Sequence, residues 1–201
     1  MESDRKIMSK LTIMKNICKF MKWTGNYIRL ILLKLRYGKS FSVNIFCKKP
    51  VYIGKKCSIR ISCGGKIVLH NGVYLDNCCT LYADGGIIKI KKNCYFNTYC
   101  RIVAKKYIEI GSNSIFGSNV SVYDHDHDIT NGVKYAITNY KISSVSIGDF
   151  VWCGTNVVIT KGVQIEENCV VGANTVVTGN LASDRLYTGY PATFKKILLK
   201  N

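Results

Sequence analysis

A mainly β fold, a parallel β-helix over residues 41–184, is predicted by three observations. From Ile147 the chain divides into six consecutive units of six, IGDFVW, CGTNVV, ITKGVQ, IEENCV, VGANTV and VTGNLA. The first place holds Ile147, Cys153, Ile159, Ile165, Val171 and Val177, and the fifth holds Val151, Val157, Val163, Cys169, Thr175 and Leu181. The same pairing recurs upstream with slips: Ile53 with Cys57, Ile59 with Cys63, Leu69 with Val73, Leu75 with Cys79, Ile90 with Cys94, Phe96 with Cys100, Ile110 with Ser114 and Phe116 with Val120. Finally, a period of six cannot form a helical stripe, because successive core positions would rotate around the axis. It suits short strands joined by tight corners, three to a triangular turn, each turn advancing about 4.8 Å.

Residues 1–40 read differently. Arg5, Lys6, Lys10, Lys15, Lys19 and Lys22 are separated by apolar residues, and Ile7, Leu11, Met14 and Cys18 share a helical face. Ile28, Leu30, Ile31, Leu33 and Leu35 continue an apolar pattern mixed with Lys34 and Arg36. The expectation is an amphipathic basic helical segment, as two helices broken near Thr24-Gly25. Its apolar runs are too short for a signal peptide or a spanning helix. Three purposes fit: a solvated cap on the next element, a contact with an anionic membrane surface, or a nucleic-acid arm.

Composition narrows the classes. In 201 residues there is room for one domain with a core, and 47% hydrophobic with 20% charged residues excludes disorder and fibrous repeats. The formal charge of +17 asks for an anionic partner but says nothing of fold. The ten cysteines include no CxxC pair and no zinc-ligand spacing, so a reduced, cytosolic protein is expected. Cys57, Cys63, Cys79, Cys94, Cys100 and Cys169 fall at place five and Cys153 at place one, which predicts seven small core residues.

The run IGDFVWCGTNVVITKGVQIEENCVVGANTVVTGN, followed by GYPATFKK, closely resembles the hexapeptide-repeat acyltransferases, in the sugar O-acetyltransferase branch. The resemblance covers roughly residues 42 to 198. It implies that the helix is left-handed, that the chain forms a homotrimer, and that acetyl-CoA binds between subunits to acetylate a saccharide of a bacterial surface or capsular polysaccharide or its precursor. With the cysteine usage, the expectation is a cytoplasmic enzyme, and contact of the basic segment with the inner face of the cell membrane is one of the three purposes left open for it. Residues 185–201 become a C-terminal extension.

The pattern lapses between Val122 and Val145, and the insertion at 123–144 holds two of the three histidines in Asp124, His125, Asp126, His127, Asp128. Loops held by a rigid scaffold concentrate function. Acetylating a hydroxyl needs a base near neutral pH, with its other ring nitrogen held by an acceptor; both imidazoles are adequate. The resemblance favours His127, which is followed by Asp128 and Ile129 and stands 25 positions before Trp152, over His125, which stands 27 before it. It further implies Trp152, Gly154, Thr155, Ala173, Thr178, Gly179, Thr193 and Lys196 as acetyl-CoA contacts. Asn97 in CYFNTYC matches an acceptor contact, and Asp124 joins it as the second candidate.

Two rivals use other chemistry. A γ-type carbonic anhydrase would bind metal through histidines of neighbouring turns, but beyond His125 and His127 only His70 remains, several turns away, so no metal is expected. A non-enzymatic basic solenoid would explain the charge, yet no nucleic-acid motif is present and no nucleic-acid partner is expected.

Overall fold

A computed structural model describes residues 23–130 and 132–198. Three parallel sheets form the faces of a solenoid with about six turns, consistent with the left-handed winding that the resemblance implies. The first face stacks Phe41–Val43, Lys66–Leu69, Ile87–Ile90, Tyr107–Ile110, Val145–Ile147 and Gln164–Ile165. The second stacks Tyr52–Ile53, Tyr74–Leu75, Tyr95–Phe96, Ile115–Phe116, Trp152–Cys153 and Val170–Val171, then runs on through Arg185–Thr188 to the antiparallel Thr193–Ile197. The third stacks Ser58–Ser62, Thr80–Asp84, Arg101–Ala104, Ser121–Tyr123, Val158–Ile159 and Val176–Val177.

The six-residue register decides what is inside. All twelve first- and fifth-place residues from Ile147 to Leu181 are buried, Thr175 included. Buried Phe96 and Phe116 stack in parallel inside the solenoid with ring centroids 4.5 Å apart. Corners between faces demand a left-handed residue, which Asn tolerates better than most. Asn93, Asn113, Asn119, Asn156, Asn168 and Asn174 take φ between 54° and 62°. Their amides also bond from turn to turn, as Asn93 Nδ2 does to Asn113 Oδ1 at 3.1 Å and Asn156 Nδ2 to Asn174 Oδ1 at 3.0 Å.

The upstream slips have a physical cause. Third-face strands of the first three turns are five, five and four residues long, so they continue the period of two before turning. Ala83 and Ala104 are therefore buried, and Ile61 packs on the core. Cys63 falls beyond the strand at φ 52°, beside Gly64 at φ 76°, and is exposed. This corrects its expected core position, and Cys57 is only half-buried. Cys79, Cys94, Cys100, Cys153 and Cys169 are buried as expected. Burial pushes the Cys94 thiol up to about 11 and the Cys153 thiol up to about 12. A thiol reagent applied to the native protein should therefore label Cys63 promptly and leave those five intact until denaturation. Prompt labelling of Cys153, read by peptide mapping, would contradict the register.

One helix spans 23–37 and closes the open end of the first turn. Thr24 and Gly25 are helical, which corrects the expected break there. A glycine within a helix costs only about 1 kcal/mol, and side chains hold this helix in place. Asn26 donates to Val51 O at 2.8 Å and accepts from the Ile53 amide at 2.9 Å. Arg29 donates to the carbonyls of Ile53 and Gly54, the Tyr37 hydroxyl donates to Ile59 O at 3.1 Å, and Leu30 is fully buried. The reading of Ile7, Leu11, Met14 and Cys18 lies outside the described residues.

Candidate active site

The insertion leaves the corner between third and first faces in the fourth turn. It is a β-hairpin, His125–His127 against Tyr140–Ile142, with a short 3-10 turn at Val133–Tyr135 between them. Strand alternation sorts its side chains. His125 and His127 share one face with Tyr140, whose ring lies 5.6 Å from the first imidazole and 4.8 Å from the second. On the other face Asp126 pairs with Lys161 at 2.5 Å, which ties the hairpin to the next turn's corner. Asp128 caps the Thr130 amide at 2.9 Å and pairs with Lys141 at 3.3 Å.

The two imidazoles sit in different surroundings. His127 Nδ1 lies 2.5 Å from the carbonyl oxygen of Ala136, which can only accept, so Nδ1 carries a proton and the lone pair of the neutral ring falls on Nε2. The residue is exposed. His125 Nδ1 lies 3.0 Å from Asp124 Oδ1, and its side chain is only 13% exposed, between the rings of Tyr123 and Tyr140. Its ring is held more firmly and reached less easily.

Asp124 lies beneath the site. It is fully buried, and its oxygens accept from the amides of Lys105 at 2.8 Å, Lys106 at 2.7 Å and Tyr107 at 2.9 Å as well as from His125. A carboxylate so placed cannot touch a saccharide, and the expected acceptor contact is corrected to an anchor. Two neighbours that motif reasoning passed over are Tyr140 and Lys105. The Lys105 ammonium sits 3.9 Å from the centre of the Tyr140 ring and pairs with Asp84 at 2.6 Å, which holds the Asp84 carboxyl well below its usual range. The aromatic in TNYKISS, at the antiparallel partner of His127, was the available clue.

The remaining candidates stand elsewhere. Trp152 is on the outer surface of the second face, 54% exposed, between Ile115 and Val170 in register. Gly154, Thr155 and Ala173 follow at the corner between second and third faces, where Asn97 also lies two turns earlier. Packing by itself requires Gly154, since a Cβ would come within 2.6 Å of the Ala173 amide nitrogen. Asn97 is half-buried, its Oδ1 bonded to the Thr98 amide at 2.8 Å. Thr178 and Gly179 are exposed at the histidine hairpin's corner, two turns on. Thr193 and Lys196 are exposed on the returning edge strand. Within one chain, then, His127 stands at the corner after the third face and Trp152 on the second face, with the third face between them. Among the described residues no group of three or more His, Cys, Asp or Glu could hold a metal ion.

A parallel solenoid built on six-residue units and carrying an imidazole hairpin at one corner defines a hexapeptide-repeat protein. Residues 144–179 match the family model described as bacterial transferase hexapeptide (six repeats). The chain is 30% identical over 146 residues to "Putative acetyltransferase YJL218W" of Saccharomyces cerevisiae (strain ATCC 204508 / S288c), covering 70% of this chain and 68% of that one. It is 31% identical over 110 residues to galactoside O-acetyltransferase of Escherichia coli (strain K12), covering 55% and 54%. Among solved structures the polysialic acid O-acetyltransferase OatWY superposes with a TM-score of 0.57 at 26% identity, over 75% of this chain and 76% of that one. The chain belongs to the hexapeptide-repeat transferase family. It spans 54% to 61% of the length of the first curated relatives it matches.

Proposed function

We propose that the chain is an acetyl-CoA-dependent O-acetyltransferase acting on a saccharide hydroxyl of a bacterial surface or capsular polysaccharide or its precursor. The observation that carries this is His127: an exposed imidazole whose Nδ1 is committed to a backbone carbonyl, leaving Nε2 as a base. In the step it serves, the hydroxyl oxygen attacks the thioester carbonyl carbon, its proton passes to Nε2, and the CoA thiolate leaves. His127 then returns the proton to the thiolate. His125 and Tyr140 hold the hairpin's imidazole face in shape.

The separation of His127 from Trp152 supports a homotrimer, in which the hairpin corner of one subunit faces the Trp152 corner of its neighbour. Small residues at that corner, Gly154, Thr155 and Ala173, leave room for a pantetheine arm along the turns. Thr178 and Gly179 would lie by the same arm from the hairpin's own chain. Thr193 and Lys196, on the edge strand, would meet the CoA phosphates, with Lys196 as a point charge. Asn97 would contact the acceptor. A lipid-linked acceptor suits the reading of the N-terminal segment as a contact with an anionic membrane surface.

Release of CoA thiol in the presence of acetyl-CoA and a panel of glycosides tests the reading. Turnover with no glycoside above the rate of spontaneous hydrolysis would overturn it. Trp152→Ala should raise KM for acetyl-CoA roughly tenfold, as truncation of a packed aromatic contact does, while leaving the melting temperature unchanged because the ring is outside the core.

A further inference from the structure

The charge of this chain is gathered at one end. Between Arg5 and Leu75 there are sixteen Lys and Arg and no Asp or Glu, whereas from Asp76 onward thirteen basic residues face ten acidic ones. Of the sixteen, the ten from Arg29 to Lys66 belong to the described helix, the first turn and the start of the second.

The helix at that end has two apolar stripes, and only one of them is used. Leu30 is buried against the first turn, with Asn26, Leu33 and Tyr37 on the same side. On the opposite side Ile28, Ile31, Leu32 and Leu35 follow the i, i+3, i+4, i+7 spacing and are exposed by 55%, 43%, 59% and 76%. At 100° per residue, Lys34 and Arg36 fall on the two flanks of this outer stripe, both exposed, and Lys39 follows the last turn. In the first turn Phe46, 88% exposed, stands beside Lys48 and Lys49. No helix among the described residues is long and apolar enough to cross a membrane.

We infer that this end of the solenoid docks on an anionic lipid bilayer. Ile28, Ile31, Leu32 and Leu35 enter the boundary between headgroups and acyl chains, and Lys34, Arg36 and Lys39 meet lipid phosphates. The centre of the patch favours lipid over nucleic acid: four aliphatic side chains at helical spacing gain nothing from a phosphodiester backbone, whereas basic residues flanking an apolar stripe match a bilayer surface. Docking gives the transferase reading a lipid-borne acceptor, but the binding itself is independent of the chemistry at His127.

Sedimentation of the full chain with sucrose-loaded vesicles of phosphatidylcholine, with and without phosphatidylglycerol, tests this. The expected result is strong binding only to the anionic vesicles, weakened by salt. Combined Ile31→Ser, Leu32→Ser and Leu35→Ser substitutions should lower partitioning by at least about tenfold. Lys34→Gln with Arg36→Gln should lower it by roughly fivefold per charge. Both variants should keep the parent's circular dichroism melt and its transfer rate to a soluble glycoside, so lost binding is not lost folding. If the parent shows no transfer, the vesicle result still reads out docking alone. Unchanged binding by the apolar variant overturns the inference. So does a parent that ignores vesicles, whether it binds duplex DNA instead or the apolar variant shifts its oligomeric state and so makes the stripe a contact between copies.

Discussion

Alanine in place of His127 is expected to lower acetyl transfer by about 10²- to 10⁴-fold with little change in stability. The ring is exposed and makes one hydrogen bond, to the carbonyl of buried Ala136, so its removal deprives a single acceptor of its partner, a cost of about 1 kcal/mol. That same bond fixes the tautomer, so the loss should fall on kcat rather than on KM for acetyl-CoA. His125→Ala is the matched control. Its imidazole is walled by Tyr123 and Tyr140 and donates to Asp124, so it acts through the hairpin's shape, and a loss of about tenfold or less is expected. Thiol-release kinetics on both variants decide the assignment: full activity in His127→Ala with an inactive His125→Ala would reverse it.

How far the sequence reached depended on whether a feature was periodic. The register from Ile147 to Leu181 named its twelve inward residues because each side chain there answers to one local rule, small or aliphatic in a narrow interior. Cys63 escaped that rule because the length of the Ser58–Ser62 strand, which moves the corner, is set by pairing with Thr80–Asp84 and has no signature of its own. The helix was legible from 28 to 35, but not which of its two stripes faces the solenoid. That choice is made by Asn26 and Arg29, whose hydrogen bonds to the first turn only the assembled fold displays. Tyr140 was missed for the same reason: its place beside both imidazoles comes from hairpin register across twelve intervening residues, 128–139. Asp124 was placed by proximity to the histidines, and proximity in sequence is silent on burial.

The second large effect is expected at Asp124, and it follows from what the insertion takes away. At the same corner in earlier turns, the amide of Lys66 bonds to Gly86 O and that of Ile87 to Lys106 O, each at 2.9–3.0 Å to the turn above. In the next turn the chain departs into the hairpin, and the amides of Lys105, Lys106 and Tyr107 turn instead to the Asp124 carboxylate. Asp124→Ala strips three backbone donors and the His125 ring of their partner at once. At about 1–3 kcal/mol for each donor left without a bond, partly offset by entering water, the loss is about 3 kcal/mol, or a fall of roughly 6–12 °C in melting temperature for a domain of this size. The isosteric Asp124→Asn recovers only part of it. Every group around the carboxylate donates, with Oδ1 serving Lys105 and His125 and Oδ2 serving Lys106 and Tyr107, so an amide NH₂ in either position opposes donor to donor. Thermal melts should therefore rank the parent above Asn and Asn above Ala. Because the hairpin is rooted at this residue, transfer activity measured well below each melting point should follow the same order. An Asn variant as stable and as active as the parent would show that the corner amides do not depend on the carboxylate.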